Sequence, residues 1–184
     1  ELGQNTILHA KHIYIIGIRS CAPLASFMAF YFTLMFPNVH LIQTSSSSEI
    51  FEQMVRIGKE DVIIGISFPR YSMRTLKAME FANNRSAKVI TITDSIHSPM
   101  NLYSSCNLIA DSDMASIVDS LVAPLSVINA LIVALCMKKQ NEVAKTLEML
   151  EDIWDEYQVY ENDEINYIDD SIKMRYGKVG DAEL

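Results

Sequence analysis

Short runs of apolar residues alternate along the chain with longer segments in which apolar residues recur at helical spacing. The runs are rich in β-branched residues and cover residues 12–16, 39–43, 62–66, 88–93 and 107–110. They are nearly continuous in apolar residues, which is typical of parallel strands buried on both faces. Such strands alternate with helices in βαβ units, so the pattern predicts an α/β fold in which helices cover both faces of a parallel sheet.

Five helical segments and one short turn of helix are predicted between and after these strands. They cover residues 22–36, 49–57, 73–83, 115–139 and 141–157, with the short turn near Pro99. The last segment has an apolar stripe beside a strongly acidic face, and we expect it to pack on the sheet or on a partner. Beyond residue 160 the pattern weakens. We therefore expect one domain over residues 1–158 and a loosely ordered acidic tail over residues 159–184.

Charge is distributed unevenly along the chain. Residues 1–140 contain eleven Lys and Arg against ten Asp and Glu, whereas residues 141–184 contain four against thirteen. A nearly neutral body with an acidic end lacks the basic face on which non-specific nucleic-acid binding depends. We therefore expect any contact with DNA to come from a separate segment.

The cysteines and the longest uncharged stretch indicate a cytoplasmic protein without a membrane span. Cys21, Cys106 and Cys136 are odd in number and lack short spacing, so reduced thiols are predicted instead of disulfides or a metal site. Residues 120–137 are uncharged, but Pro124 interrupts them and their length is short for a span. They are predicted to form a buried or interface helix. The first residue is not Met, so we expect a piece of a longer protein.

Ligands of open parallel sheets bind beyond the carboxyl ends of the strands, where loops and helix N-termini present free N–H groups. The loop after the third strand contains two hydroxyls and a fixed cation, Ser67, Ser72 and Arg70. This composition suits an anion such as a phosphate. The alternative, which stays open here, is that Ser72 only caps the next helix and that Arg70 is solvated.

The first and second strand-end loops contribute further candidates. Arg19 and Ser20 follow the first strand, but this loop has a single glycine, so neither a dinucleotide fingerprint nor a Walker phosphate loop is predicted, and no cofactor is expected. In the second loop Ser47 is a candidate ligand contact. Glu49 is either a base for proton transfer or the partner of Ser46 in a capping box.

The fourth strand-end loop begins with Asp94, which either receives a sugar hydroxyl or satisfies local backbone donors. Near it lies His97, for which we expect a surface role. The histidines of the chain lack zinc-site spacing, so no metal site is predicted.

The chain resembles the SIS (sugar isomerase) domain, most closely the version found in RpiR-type transcriptional regulators. Residues 15–20, 61–72 and 90–99 carry the resemblance, which extends over roughly residues 8–140. Three motifs in the right order between strands are more specific than any one of them alone. The resemblance implies a flavodoxin-like, three-layer αβα sandwich with a five-stranded parallel sheet, phosphosugar binding and dimerisation.

The resemblance also implies roles for individual loop residues. In the commoner family pattern the third loop reads Ser-x-Ser-Gly-x-Thr and wraps the phosphate, which maps onto Ser67 and Ser72. Here a proline and Arg70 replace the inner serine and the glycine. Where Gly-x-Gly-x-Ser is common in the first loop, this chain brings Arg19 towards the site, and the hydroxyl of Ser20 is expected to meet the sugar.

For function, the resemblance implies the phosphosugar-sensing half of a bacterial transcriptional regulator of sugar metabolism. In such regulators a helix-turn-helix domain on the N-terminal side contacts DNA, and none is found within these residues. We expect a phosphorylated sugar or amino sugar as ligand and a homodimer formed partly through residues 123–137. One alternative is an aldose-ketose phosphosugar isomerase with Glu49 as base, since a catalytic glutamate of glucosamine-6-phosphate synthase has a similar place. Another is a scaffold that has lost its ligand.

Overall fold

The computed structural model describes residues 2–44, 46–112 and 120–160. The strands of these ranges are β1 (Ile13–Gly17), β2 (Val39–Ile42), β3 (Val62–Ile66), β4 (Lys88–Thr93) and β5 (Cys106–Ile109). They form one parallel sheet in the order β2, β1, β3, β4, β5. The α-helices of the same ranges are α1 (Leu2–Leu8), α2 (Ala22–Met35), α3 (Ser47–Gln53), α4 (Met73–Asn84), α5 (Val122–Lys138) and α6 (Gln140–Glu156). Two short 3-10 helices cover Arg19–Cys21 and Pro99–Tyr103.

The predicted α/β fold with a five-stranded parallel sheet is confirmed, and apart from one additional helix the differences lie at the ends of elements. β1 and β5 are shifted by one residue from their predicted starts, and α3 begins two residues earlier and ends at Gln53, where the chain continues as a turn. Of the helix predicted over residues 115–139, residues 115–119 lie outside the described residues. Its described part begins at Val122.

The helix α1 was not predicted from the sequence. It buries only Gly3 and Ile7, too few positions to establish an apolar stripe. Its position depends on tertiary packing, because a Cβ at Gly3 would lie 2.9 Å from Sγ of Cys106 next to it. This helix therefore follows from contacts with a distant strand and not from local propensity.

The inner strands are buried on both faces, as their continuous apolar runs predict, whereas the edge strands β2 and β5 are only partly buried. Every residue of β1 and of β3 is buried. Ile13 and Ile15 belong to a core cluster that includes α2 and α5, whereas Tyr14 and Ile16 belong to a second cluster with α3 and α4. The three layers are therefore two groups of helices with the sheet between them.

At Gly65 the helix α4 packs closely on the sheet. A Cβ at this position would clash with Sδ of Met79, so a larger residue would require the Met79 side chain to move. Because α4 begins after the loop that follows β3, its N-terminus lies at the carboxyl edge of the sheet.

The chain divides into two compact units, Glu1–Val143 and Ala144–Leu184. In the first, Lys139 Nζ donates a hydrogen bond to the carbonyl oxygen of Met35 at 3.2 Å. In the second, the rings of Trp154 and Tyr160 meet edge to face at 5.3 Å. The domain boundary expected between residues 158 and 159 stays a prediction. No single helix in the described ranges is long and apolar enough to cross a membrane, and α5 with α6 meets those criteria only as a bent pair.

Candidate functional site

The loops after β1 and β3 start side by side, because Gly17 pairs with Ile66 in the sheet register. A Cβ at Gly17 would lie 2.6 Å from the carbonyl oxygen of Cys21, so glycine is needed where the 3-10 turn folds back over the strand end. This turn places Arg19 and Ser20 at the carboxyl edge, and both are exposed. When the family pattern Gly-x-Gly-x-Ser is counted from Gly17, its serine position corresponds to Cys21, which is buried. Ser20 therefore occupies the variable position before it.

The two serines of the third loop form its hydrogen-bonded frame. Ser67 is 3% exposed, and its hydroxyl oxygen accepts a hydrogen bond from the backbone N–H of Ser72 at 3.0 Å. The Ser72 hydroxyl in turn accepts from the backbone N–H of Thr75 at 3.3 Å and caps α4. In both bonds the oxygen accepts, so each hydroxyl retains a hydrogen that it can donate to an anionic oxygen.

Ser72 therefore does act as a cap, as one of the two interpretations of this loop predicts. The capping role does not exclude a ligand, since the N-terminus of α4 still presents N–H groups and a positive dipole end at the same place. The Ser72 hydroxyl can therefore cap α4 with its oxygen and donate its hydrogen to an anion.

The arginines of the first and third loops share an unusual backbone conformation. Arg19 has φ 58° and Arg70 has φ 66°, both in the left-handed region. An L-residue other than glycine pays about 1 kcal/mol or more in this region. Both side chains are exposed at the carboxyl edge.

Asp94 connects the fourth loop to the third. The Tyr71 hydroxyl donates to its carboxylate, at 2.9 Å from Oδ1 and 3.1 Å from Oδ2, and Thr93 Oγ1 donates to Oδ1 at 3.0 Å. Burial raises the pKa of Tyr71; a hydrogen bond with Ser98 opposes the rise and Asp94 adds to it. The phenol therefore keeps its proton at neutral pH and holds the two loops together.

Sequence reasoning did not single out Tyr71. Its position in the sequence could have identified it. Tyr71 follows β3 and Asp94 follows the neighbouring strand β4, so the phenol and the carboxylate lie at the same edge of the parallel sheet.

The second loop does not form the capping box that Ser46 and Glu49 predict. Thr44 Oγ1 donates instead to Oε2 of Glu49, and the backbone N–H of Ser46 donates to Thr44 Oγ1 at 3.0 Å. Ser46 is the N-cap of α3 but makes no side-chain cap bond, and its hydroxyl lies 2.9 Å from that of Ser48. The capping-box prediction is wrong, because the Glu49 carboxylate accepts a hydrogen bond from the Thr44 hydroxyl and Ser46 makes no side-chain cap bond.

Ser47 faces a crevice between α3 and α4. The crevice has a volume of about 100 Å³ and is lined by Ser47, Ile50, Phe51, Met73, Arg74 and Lys77. Arg74 and Lys77 lie in the first five residues of α4 and add two cations to this side of the site. Neither was selected from the sequence, because cations on a helix surface are ordinarily solvated.

The candidate residues fall into three groups. The first is the third loop with Ser67, Arg70 and Ser72, to which Tyr71 links Asp94. The second is the neighbouring first loop with Arg19 and Ser20, and the third is Ser47, which faces α4 across the crevice. Glu49, in the first turn of α3, accepts a hydrogen bond from Thr44 in the loop before it. Within the described ranges no three His, Cys, Asp or Glu side chains are arranged to hold a metal ion. The grouped donors and cations are suited to an anion that also carries hydroxyls.

Comparisons of sequence give the family to which the chain is similar. The sequence model of one family, described as the SIS domain, matches residues 6–134. An uncharacterised HTH-type transcriptional regulator from Caldanaerobacter subterraneus subsp. tengcongensis is 31% identical over 98 residues, which cover 51% of this chain and 35% of that regulator. The chain thus matches about a third of the length of this curated relative.

Solved structures show the same fold. The sugar isomerase domain of an RpiR transcription factor from Sphaerobacter thermophilus has a TM-score of 0.78 at 20% identity, covering 82% of this chain and 84% of that one. The NanR protein of Vibrio vulnificus, complexed with ManNAc-6P, has a TM-score of 0.71 at 17% identity, covering 83% of this chain and 60% of that one.

Proposed function

Because the chain belongs to the SIS domain family, we propose that it is the phosphosugar-sensing effector domain of a bacterial transcriptional regulator of sugar metabolism. The observation that carries the proposal is the third loop. Its two serine hydroxyls accept backbone N–H groups at the start of α4, and Arg70 lies in the same loop beyond the end of β3. These groups supply the donors and the positive charge that a phosphate requires.

The rest of the edge provides groups for the sugar. The Asp94 carboxylate is oriented by Tyr71 and Thr93, and it has lone pairs left to accept a sugar hydroxyl. Ser20 and Ser47 offer further hydroxyls from the neighbouring loops. The ligand class that we propose is a phosphorylated sugar or amino sugar, bound without a cofactor.

Sensing requires that the ligand change the population of conformations or assemblies. We propose that the chain works in the cytoplasm as a homodimer formed partly through α5, on which Val122, Val133 and Met137 are 74%, 57% and 67% exposed. DNA contact would come from a separate helix-turn-helix domain, of the kind named in the sequence relative. Light scattering at micromolar concentration tests the dimer, and a folded monomer would contradict it.

Calorimetry with matched ligands tests the ligand class. We expect hexose 6-phosphates or N-acetylhexosamine 6-phosphates to bind, whereas the unphosphorylated sugars bind at least a hundredfold more weakly, because the third loop contributes mainly through the phosphate. Equal affinity for phosphorylated and free sugars, or no binding of either, would contradict the proposal. The second result would favour a scaffold that has lost its ligand.

Aldose-ketose isomerisation with Glu49 as base is a second candidate function. It is favoured by an exposed carboxylate at the start of α3, on the ligand edge. Against it, the Thr44 hydroxyl donates a hydrogen bond to this carboxylate and occupies one of its oxygens. Turnover of hexose or pentose phosphates that disappears in Glu49→Gln would establish the isomerase, and absence of turnover at micromolar enzyme would exclude it for those substrates.

A further inference from the structure

Arg19 and Arg70 adopt a backbone conformation that glycine adopts without strain. The other left-handed residues of the described ranges, Ser86 and Gln158, lie just beyond the ends of α4 and α6. A left-handed residue is an ordinary way to end a helix. The two arginines instead precede helices, so helix termination does not account for them.

The two arginines come from loops that begin next to each other. Gly17 at the end of β1 pairs with Ile66 at the end of β3. Arg19 lies two residues after Gly17, and Arg70 lies four residues after Ile66. Two guanidinium groups therefore rise from separate loops at one edge of the sheet. The serine frame belongs to only one of those loops, the one with Arg70.

Positive charge is concentrated at the two loops from which the arginines come. In the loops after β1 and β3, together with the first five residues of α2 and α4, the charged side chains are Arg19, Arg70, Arg74 and Lys77, all of them cations. The described carboxylates of the neighbouring strand ends are Glu49, Asp94 and Asp111, after β2, β4 and β5. Glu49 and Asp94 accept hydrogen bonds from neutral hydroxyls, those of Thr44, Tyr71 and Thr93.

We propose that the site takes a sugar with two anionic groups, either a bisphosphate or a phosphorylated sugar acid. This inference rests on the proposed function and specifies its ligand. The serines of the third loop, the N-terminus of α4 and Arg70 hold one phosphate. Arg19, from the neighbouring loop, holds the second anionic group and determines specificity for it.

Substitution by glycine tests the charge of each arginine without disturbing its backbone conformation. Arg19→Gly and Arg70→Gly remove the guanidinium but keep the left-handed conformation accessible, so both variants should fold at least as stably as the wild type. Ser86→Gly is the matched control, since it has φ 63° and lies at the far end of α4. It relieves the same kind of strain away from the site.

Calorimetry with three probes of related carbon skeleton tests the inference: glucose 6-phosphate, glucose 1,6-bisphosphate and 6-phosphogluconate. At least one of the last two should bind the wild type tenfold to a hundredfold more tightly than glucose 6-phosphate, as expected for one additional charge-assisted contact. Arg19→Gly should remove this difference and leave the Kd of glucose 6-phosphate within about threefold. Arg70→Gly should weaken all three probes, and Ser86→Gly should weaken none.

The outcomes distinguish this inference from the proposed function. If glucose 6-phosphate binds and neither doubly anionic probe binds more tightly, the ligand has one anionic group and the inference is overturned while the proposed function stands. If Arg19→Gly weakens glucose 6-phosphate as much as the other probes, both arginines hold the same phosphate and the inference is also overturned. If no phosphorylated probe binds the folded protein, the proposed function itself fails.

Discussion

The loops after β2 and β3 are both rich in hydroxyl residues and both lead into a helix, yet their hydrogen bonds differ. After β3, Ser67 and Ser72 accept backbone N–H groups and keep their hydroxyl hydrogens, and Tyr71 reaches across to the next loop. After β2, Thr44 accepts from a backbone N–H and donates to Glu49 in the first turn of α3, so its hydroxyl hydrogen is already used. The direction of the hydrogen bonds therefore distinguishes the two loops: the bonded serine hydroxyls after β3 keep a hydrogen for an anion, whereas the Thr44 hydroxyl does not.

The largest effect that separates the two loops is expected from Arg70→Ala. Loss of a charge-assisted contact should raise the Kd for a phosphosugar by roughly tenfold to a hundredfold. Calorimetry measures this, with Lys59→Ala as the control for loss of one exposed positive charge away from the site. Equal Kd values for wild type and Arg70→Ala would place the anion elsewhere, with Arg19 and Ser20 as the next candidates.

Tyr71→Phe should lower the free energy of unfolding by about 1.5 kcal/mol, because the hydrogen bond from its hydroxyl to the Asp94 carboxylate is lost. Urea denaturation measures the change, with Tyr31→Phe on α2 as a control. The raised pKa of Tyr71 sets the pH dependence. A phenol with a raised pKa contributes its stability below the ordinary value of 10.0 and loses it as pH rises through the raised value, so the difference should be constant from about pH 6 to about pH 9.

Ser72→Ala and Ser46→Ala make a matched pair, since both residues are N-caps but only Ser72 makes a side-chain cap bond. Ser72→Ala should cost about 1 kcal/mol of stability and weaken phosphosugar binding by less than Arg70→Ala does. Ser46→Ala should leave the melting temperature nearly unchanged. Equal losses of stability in the two variants would show that the two loops do not differ as described.

The smallest effect is expected from Glu49→Gln. The amide still accepts a hydrogen bond from Thr44, and the residue lies outside the serine frame, so the phosphosugar Kd should stay within about twofold of wild type. Calorimetry under the conditions used for Arg70→Ala makes the comparison direct. A tenfold weaker Kd would bring the second loop into the binding site and revive the isomerase.

The sequence alone predicts the sheet well and the site only partly. The strands are predictable because β1 and β3 are buried on both faces, which leaves continuous β-branched runs. The Ser72 cap is also predictable, because a cap is a local interaction. The pairing of Tyr71 with Asp94 is not, since it joins residues 23 apart in the chain. The left-handed conformation of Arg70 is not predictable either, because arginine has no preference for it.

A crystal structure with a bound phosphosugar tests the central claim most directly. We expect phosphate oxygens within about 3.2 Å of the hydroxyl oxygens of Ser67 and Ser72, at the N-terminus of α4, with the Arg70 guanidinium against the same phosphate. A phosphate bound instead in the crevice between α3 and α4, against Arg74 and Lys77, with the third loop empty, would contradict it.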